Sequence, residues 1–423
     1  MLSPRWIASL AIVVALCSTA GALGGVPRGD TIWVRSEGEF AAAVSRLLGT
    51  EGTIVLLPHV YRGTLVVPPR WGGTLRIAGT PGARIERLVL DHTERVSLGR
   101  VTIAPVAQDA GIDVVASRYV ELHDLLVTAQ GTRYSASVRV PDSAHVTIQR
   151  SEFKHCGDRS PAFANCLLVL DWATHVLVEN NWFHDCYGCD FIHGRFGSNL
   201  TIRGNRFERA LPCRIGRVRC GHQDLVELFA GRRLRVEANR FGVYRVGGAQ
   251  LYLTGAMSDV TIANNVFLGA DPRVRGYRAR VGLIVGSAGL GPLPQYVRVV
   301  NNTILTGARR RDGYAGSLRM SSRYGAVQKR KRPIVANNVI GLLETPNRVC
   351  ATARLSVSNV VVRGTSCSRS DQVGAVELDR AGRPTAASTL LIDRANRHYA
   401  PRFDFTGRQR GPAPDVGAFE YGG

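Results

Sequence analysis

Lysine is almost missing from this chain. Of 54 basic residues only Lys154, Lys329 and Lys331 are lysines, and 51 are arginines. The arginines run the whole length, so the skew reflects a GC-rich, bacterial-type composition rather than a basic nucleic-acid tail. Methionine occurs three times, aromatics make up 7% of the residues, and no stretch reaches the roughly 20 apolar residues that a membrane-spanning helix needs. Those absences exclude a membrane bundle. Forty-six glycines and 19 prolines in 423 residues are too few, and too aperiodic, for a collagen-like or low-complexity chain. What is present is 45% hydrophobic content and a net charge of +21, enough apolar material for a large core under a basic surface.

The first residues have the pattern of an export signal: Arg5, an apolar run from Ile7 to Leu16, then Ala20-Gly21-Ala22. The run is too short to span a bilayer, and the small residues suit a cleavage site. The expected division is a signal peptide over 1–22 and a secreted domain over 23–423. Beyond Cys17 lie eight cysteines: Cys156, Cys166, Cys186, Cys189, Cys213, Cys220, Cys350 and Cys367. An even number in an exported chain predicts disulfides. Local pairing gives 156–166, 186–189, 213–220 and 350–367. A vertical alternative joins 156 to 186 and leaves 166 for 189. A zinc site at Cys186 and Cys189 with His184 and His193 is the competing reading, weakened because no second CxxC follows.

An internal repeat governs the architecture. The segments VLVENNWF (176–183), LTIRGNRF (200–207), LRVEANRF (234–241), VTIANNVF (260–267), VRVVNNTI (297–304) and IVANNVI (334–340) each combine alternating apolar residues, an Asn, one variable residue and Phe or Ile. VTIQRSEF (146–153) and RLSVSNVV (354–361) are weaker copies. The column Ser151, Asn181, Asn205, Asn239, Asn265, Asn302, Asn338 advances by 30, 24, 34, 26, 37 and 36 residues. A second short strand lies between copies, as in DFIHG (190–194), DLVELF (224–229) and QLYLTG (250–255). Short strands, a minimum period near 24 and an Asn at one bend predict a coil of parallel strands. In it, amides stack about 4.8 Å apart and the Phe and Ile columns fill the interior. Residues 38–48 have helical apolar spacing and are expected to cap the N-terminal end. Residues 370–423 lose the motif and are expected to form the last rung and a C-terminal cap.

Together with GTIVLLPHVYRGTLVV (52–67) and PDVGAFEY (414–421), these repeats resemble the right-handed parallel β-helix proteins of the pectate-lyase-like superfamily, especially secreted bacterial ones. The resemblance implies an all-β fold, a right-handed single-stranded parallel β-helix, over about residues 30–421. It implies no single activity, because that superfamily holds lyases, hydrolases, epimerases and non-catalytic surface proteins.

In a coil, equivalent positions on neighbouring rungs lie side by side. Counting 15 residues back from each Asn puts Asp190, Asp224 and Gln250 in one column. Counting 12 back puts His193 beside Glu227. Carboxylates about 5 Å apart suit a retaining glycosidase. Stacked carboxylates can also hold Ca²⁺, the candidate cofactor, and His193 or His222 could remove the α-proton of a uronate. The candidate catalytic residues are therefore Asp190, His193, His222, Asp224 and Glu227. Arg195 is the expected carboxylate partner, and Gln223, Gln250 and Tyr252 are further substrate contacts. For each there is a structural alternative. Asp190 and Asp224 have core parity and could satisfy bend amides, His193 and Glu227 have outward parity and could be a solvated pair, and Gln250 and Tyr252 could be packing. The motifs of polygalacturonases and the Arg-x-Pro-x-x-Arg pattern of pectate lyases are absent. Arginine-rich loops at 208–222, 271–280 and 308–332 are expected to project on one side, as a wall that attracts an anionic polymer. The reading is a secreted, monomeric, carbohydrate-active β-helix protein, a lyase or glycoside hydrolase on an acidic polysaccharide, with no nucleic-acid partner. The alternative is a non-catalytic polysaccharide-binding or cell-surface coil.

Overall fold

The repeat builds a right-handed coil of parallel strands in this computed structural model. It describes residues 29–422 apart from 71, 106–109, 129–136, 156–167, 188–189, 212–213, 216–217, 220–223, 243–247, 270–280, 287–290, 306–315 and 344–345. Each turn supplies strands to three faces. The first face carries the short strand between repeat copies, the second the strand before the Asn, and the third the two or three residues after it. Long strands such as Leu168–Glu179 and Ile192–Arg203 bend from the first face into the second.

Side chains stack by kind. On the first face Leu168, Ile192, Val226, Leu251 and Leu283 are successive partners. On the second, Val178, Ile202, Val236, Ile262 and Val299 are. On the third, Phe153, Phe183, Phe207, Phe241 and Phe267 are partners and fully buried. Their ring centroids are 4.5–5.1 Å apart along the stack, the strand spacing made visible. Each buried ring contributes about 1.5–3 kcal/mol through area removed from water.

The bend between the second and third faces is closed by the asparagine column. The Asn205 N–H donates to Asn239 Oδ1 at 2.9 Å, and Asn205 Nδ2 donates to the same oxygen at 3.0 Å and to the Val178 carbonyl at 2.8 Å. The pattern repeats at Asn181, Asn239, Asn265, Asn302 and Asn338. It starts with Ser151, whose hydroxyl accepts from the Leu125 N–H, and ends with Asn359 on Asp371. The residue before each ladder member is left-handed: Asn180, Gly204, Ala238, Asn264, Asn301 and Asn337 have φ between 51° and 65°. That requirement accounts for the paired asparagines, since Asn and Gly tolerate this conformation best.

The N-terminal helix is Glu37–Arg46, capped by the Ser36 hydroxyl on the Glu39 N–H, with Phe40, Ala43 and Val44 buried. Gln372–Val373 adds a last strand to Val360–Val361. Thereafter the chain folds back along the side of the coil. Ala418 N–H donates to Thr303 Oγ1, Asn301 Nδ2 to the Asp415 carbonyl, and Asn264 Nδ2 to the Phe403 carbonyl. Cys350 and Cys367 form a disulfide. Cys186 is also disulfide-bonded, which removes it as a thiolate metal ligand. Cys156, Cys166, Cys189, Cys213 and Cys220 lie outside the described residues, as does the expected signal segment. Among the described residues no helix is long and apolar enough to cross a membrane.

Candidate functional site

Strands Ile192–Arg203 and Val226–Leu228 pair so that His193 lies directly opposite Glu227, and Glu227 opposite Tyr252 of Ala249–Leu253. The expected His193–Glu227 column is therefore present. The other column slips. Leu251 pairs with Val226, but Met257 pairs with Gly231, so the bend between them holds one extra residue on the later rung. Ala249, not Gln250, follows Asp224. Gln250 is fully buried, and its amide donates to the carbonyls of Gly242 and Leu268 at 2.9 Å and of Phe241 at 3.3 Å. It is a structural side chain, a correction to its expected place among substrate contacts.

Asp190 and Asp224 sit at the bend entering the first face, both nearly inaccessible. Asp190 Oδ1 accepts the Asp224 N–H at 2.7 Å, and Asp224 Oδ1 accepts the Ala249 N–H. Both thus satisfy bend amides. Asp190 does more, because its Oδ2 accepts from His193 Nδ1 at 2.9 Å. Glu227 Oε2 lies 3.6 Å from the same Nδ1. Despite its outward parity, Glu227 is only 4% exposed; its neighbours in the column are His193 and Tyr252. The His193 side chain keeps 30% exposure, and its ring meets Phe229 edge-on at 4.8 Å. Both carboxylates address Nδ1 rather than Nε2.

The electrostatics follow from this packing. Burial lifts the Asp190 carboxyl to about 6; the charges of Asp224 and Glu227 add to the rise, and the His193 bond opposes it. For His193 burial acts downward, but the hydrogen bonds and charges of Asp190 and Glu227 outweigh it and raise the imidazole to about 9. Near neutrality the site is an imidazolium clamped by buried carboxylates.

Gly194, next to His193, has φ 134°, and a Cβ there would collide with the Leu170 carbonyl oxygen. The glycine lets the strand turn sharply after the histidine. Arg195 follows, exposed, with its guanidinium 6.0 Å above the ring of Trp172. Trp172 sits where the register between the two long strands shifts, with φ 57° and half its surface exposed. It was not legible as a site residue, since a bulged tryptophan has no period to betray it; Phe229 was hidden likewise. His222 and Gln223 lie outside the described residues.

Asp190, His193 and Glu227 offer ligand atoms within 4.8 Å of one another. They do not fit Ca²⁺, which takes six to eight oxygen ligands. Here one of three donors is nitrogen, and the histidine is already hydrogen-bonded to a carboxylate.

Comparison with curated proteins gives no match. Among solved structures, the chain resembles PfbA, a surface adhesin of Streptococcus pneumoniae, with 12% identity, a TM-score of 0.41, and coverage of 63% of this chain and 80% of that one. It resembles the tailspike protein of the E. coli bacteriophage HK620 with 10% identity, a TM-score of 0.44, and coverage of 84% and 64%. It resembles a variant pectate lyase from Xanthomonas campestris with 14% identity, a TM-score of 0.33, and coverage of 71% and 82%. A family model described as the right handed beta helix region matches residues 88–304. The matched segment contains the asparagine ladder from its first hydroxyl to Asn302 and the whole Asp190–His193–Glu227 cluster, and by it this chain belongs to the right-handed β-helix family.

Proposed function

We propose that the protein is an exported enzyme that cleaves an acidic polysaccharide on the first face, by β-elimination or hydrolysis. One observation carries the reading: His193 is held through Nδ1 by the buried Asp190 and neighboured by Glu227, while its side chain stays 30% exposed. A carboxylate that orients an imidazole and stabilises its charged form is the arrangement used for acid–base catalysis on many folds. With its imidazole raised to about 9, His193 acts as a proton donor at neutral pH, towards a glycosidic oxygen. It becomes a base for an α-proton only at alkaline pH. Arg195 provides a cation for a uronate carboxylate, and Trp172 an aromatic surface for a sugar ring. Asp224 supports Asp190 as a positioning residue through the backbone.

The test is a panel of uronate polymers, followed both by ultraviolet absorbance of an unsaturated product and by new reducing ends. Absorbance together with reducing ends identifies a lyase, and reducing ends alone a hydrolase. The His193→Asn variant should lose the activity. A second reading, a non-catalytic polysaccharide-binding coil, draws on a different observation: Asp190 and Asp224 both accept the next rung's amide, which a purely structural bend would also require. A panel without any cleavage favours that reading.

A further inference from the structure

The second face carries a feature that the His193 cluster does not use. A groove of about 460 Å³ crosses its outer surface, lined by Arg233, Arg235, Arg298, Arg330, Arg332 and Arg354, with Asp259 the one lining carboxylate among the described residues. Arg235 and Arg298 share a column, separated by Thr261, so two rungs, about 10 Å, divide them. One wall comes from the loop expected to be basic. Arg332 is fixed there by donating to the carbonyls of Gly325 at 2.6 Å and Val327 at 2.8 Å. Gly316–Met320 of that segment is a strand of the first face, and the residues after it carry Arg330 and Arg332 to the groove on the second.

The backbone concentrates side chains along this groove. Arg233, Asp259 and Tyr296 all have φ between 53° and 59°. Each left-handed residue breaks the strict alternation of the strand, so Arg232 and Arg233 are both exposed in succession. The floor adds neutral hydrogen-bonding groups, Thr201, Thr261 and Asn199, and Tyr296 is 42% exposed.

We propose that this groove is a non-catalytic binding site for an acidic oligosaccharide. Arginine forks recognise carboxylate and sulfate in the same planar geometry. Hydroxyl and amide groups between them suit sugar hydroxyls, and an exposed tyrosine suits a sugar face. Because the groove crosses successive rungs, it fits an extended chain rather than a single small anion. A single-stranded nucleic acid fits less well, since such sites rely on several aromatic platforms and among the described residues Tyr296 is the one ring lining this groove. The groove stands on its own residues, so its role does not depend on catalysis at His193.

Calorimetric titration of the full chain tests it, with sized polygalacturonate fragments (carboxylate), heparin fragments (sulfate), neutral dextran fragments and oligothymidylate. At least one acidic glycan should bind and dextran should not, with affinity falling as salt rises. The double variant Arg235→Gln, Arg298→Gln should weaken that binding at least about tenfold, as expected on losing two charge-assisted contacts. Arg235→Lys with Arg298→Lys should fall between. Both pairs are exposed, and a thermal melt checks that the variants fold. The His193→Asn variant should bind as the wild type does, whether or not it cleaves. Failure of every acidic glycan to bind, unchanged affinity in the glutamine variant, loss confined to His193→Asn, or tighter binding of oligothymidylate would each overturn the proposal.

Discussion

Two bends of one coil face the same demand and meet it with different chemistry. At the bend between the second and third faces, each asparagine takes the preceding rung's N–H on Oδ1 and gives its own N–H and NH₂ to the next asparagine's Oδ1 and its NH₂ to a carbonyl, as Asn239 does at 0% exposure. Every polar atom is used and no charge is buried. At the bend entering the first face, Asp190 takes the next rung's N–H with one oxygen, but a carboxylate has nothing to donate. Its second oxygen needs a proton from elsewhere, and His193 supplies it. An amide ladder is self-sufficient, whereas an aspartate ladder leaves a negative surplus that must be neutralised or put to use. On the proposed function, that surplus is what His193 turns to acid–base use at the second kind of bend.

Replacing Asp190 with Asn makes the second bend chemically like the first. The amide oxygen can still accept the Asp224 N–H, so the fold should persist. His193 loses the charge that stabilises its imidazolium, and its pKa should drop towards 6.5. If His193 is the acid–base group, cleavage should fall about 10²–10⁴-fold. Polymer assays with a pH–rate profile and ¹³C-edited NMR of the imidazole check both statements. Full activity with an unmoved imidazole would remove Asp190 from the site.

The converse experiment damages the ladder. Asn239→Ala strands the Asn205 N–H, the Asn205 amide and the Ile202 carbonyl. The expected cost is about 1–3 kcal/mol, read as a lower urea midpoint. Asn239→Asp should keep the N–H acceptance and still destabilise, because it buries a charge without a histidine to answer it.

Stability against pH reads the same contrast without mutation. His193 has a folded pKa of about 9 against an ordinary 6.5. Its stabilisation is complete below pH 6.5 and is lost as pH rises through 9. Asp190 is raised from 3.8 to about 6, so its contribution is lost lower, between those two values. Both slopes are negative with rising pH, in separate windows. The alkaline loss should be on the order of 1–3 kcal/mol for a half-buried imidazole, and a chain with His193→Asn should show a flatter melting temperature from pH 6.5 to 9.

The asparagine ladder, the phenylalanine stack and the pairing of His193 with Glu227 were all legible, because each recurs at a fixed offset from the Asn. What was not legible depends on bends of unequal length. One extra residue between Leu251 and Met257 moves Gln250 out of the aspartate column, and a register shift pushes Trp172 into solvent. Counting from a motif carries register only as far as the next insertion, and a one-residue slip exchanges inside for outside. The burial of Glu227 was hidden for another reason: parity gives a side chain's direction, not what covers it.

The smallest effect comes from a second aspartate–histidine couple on the third face, which makes a useful control. Asp185 Oδ2 lies 2.7 Å from His184 Nδ1, closer than Asp190 is to His193, yet its carboxyl moves the opposite way, down to about 2. Arg209 explains the difference, donating to both Asp185 oxygens at 2.6 Å, and burial here is too slight to oppose it. A carboxylate neutralised by a guanidinium fork cannot hold a proton near neutrality, so this couple has the geometry of an acid–base pair without its poise. Because the folded value is depressed, the contribution is present above the ordinary 3.8 and is lost as pH falls through about 2. Arg209 is half exposed, so screening limits the pair to about 0.5–1 kcal/mol. Asp185→Asn should therefore shift the urea midpoint only slightly, mostly at low salt, and leave cleavage of every polymer in the panel unchanged. A large loss of activity from Asp185→Asn would move the chemistry to the third face and undo the contrast between the two bends.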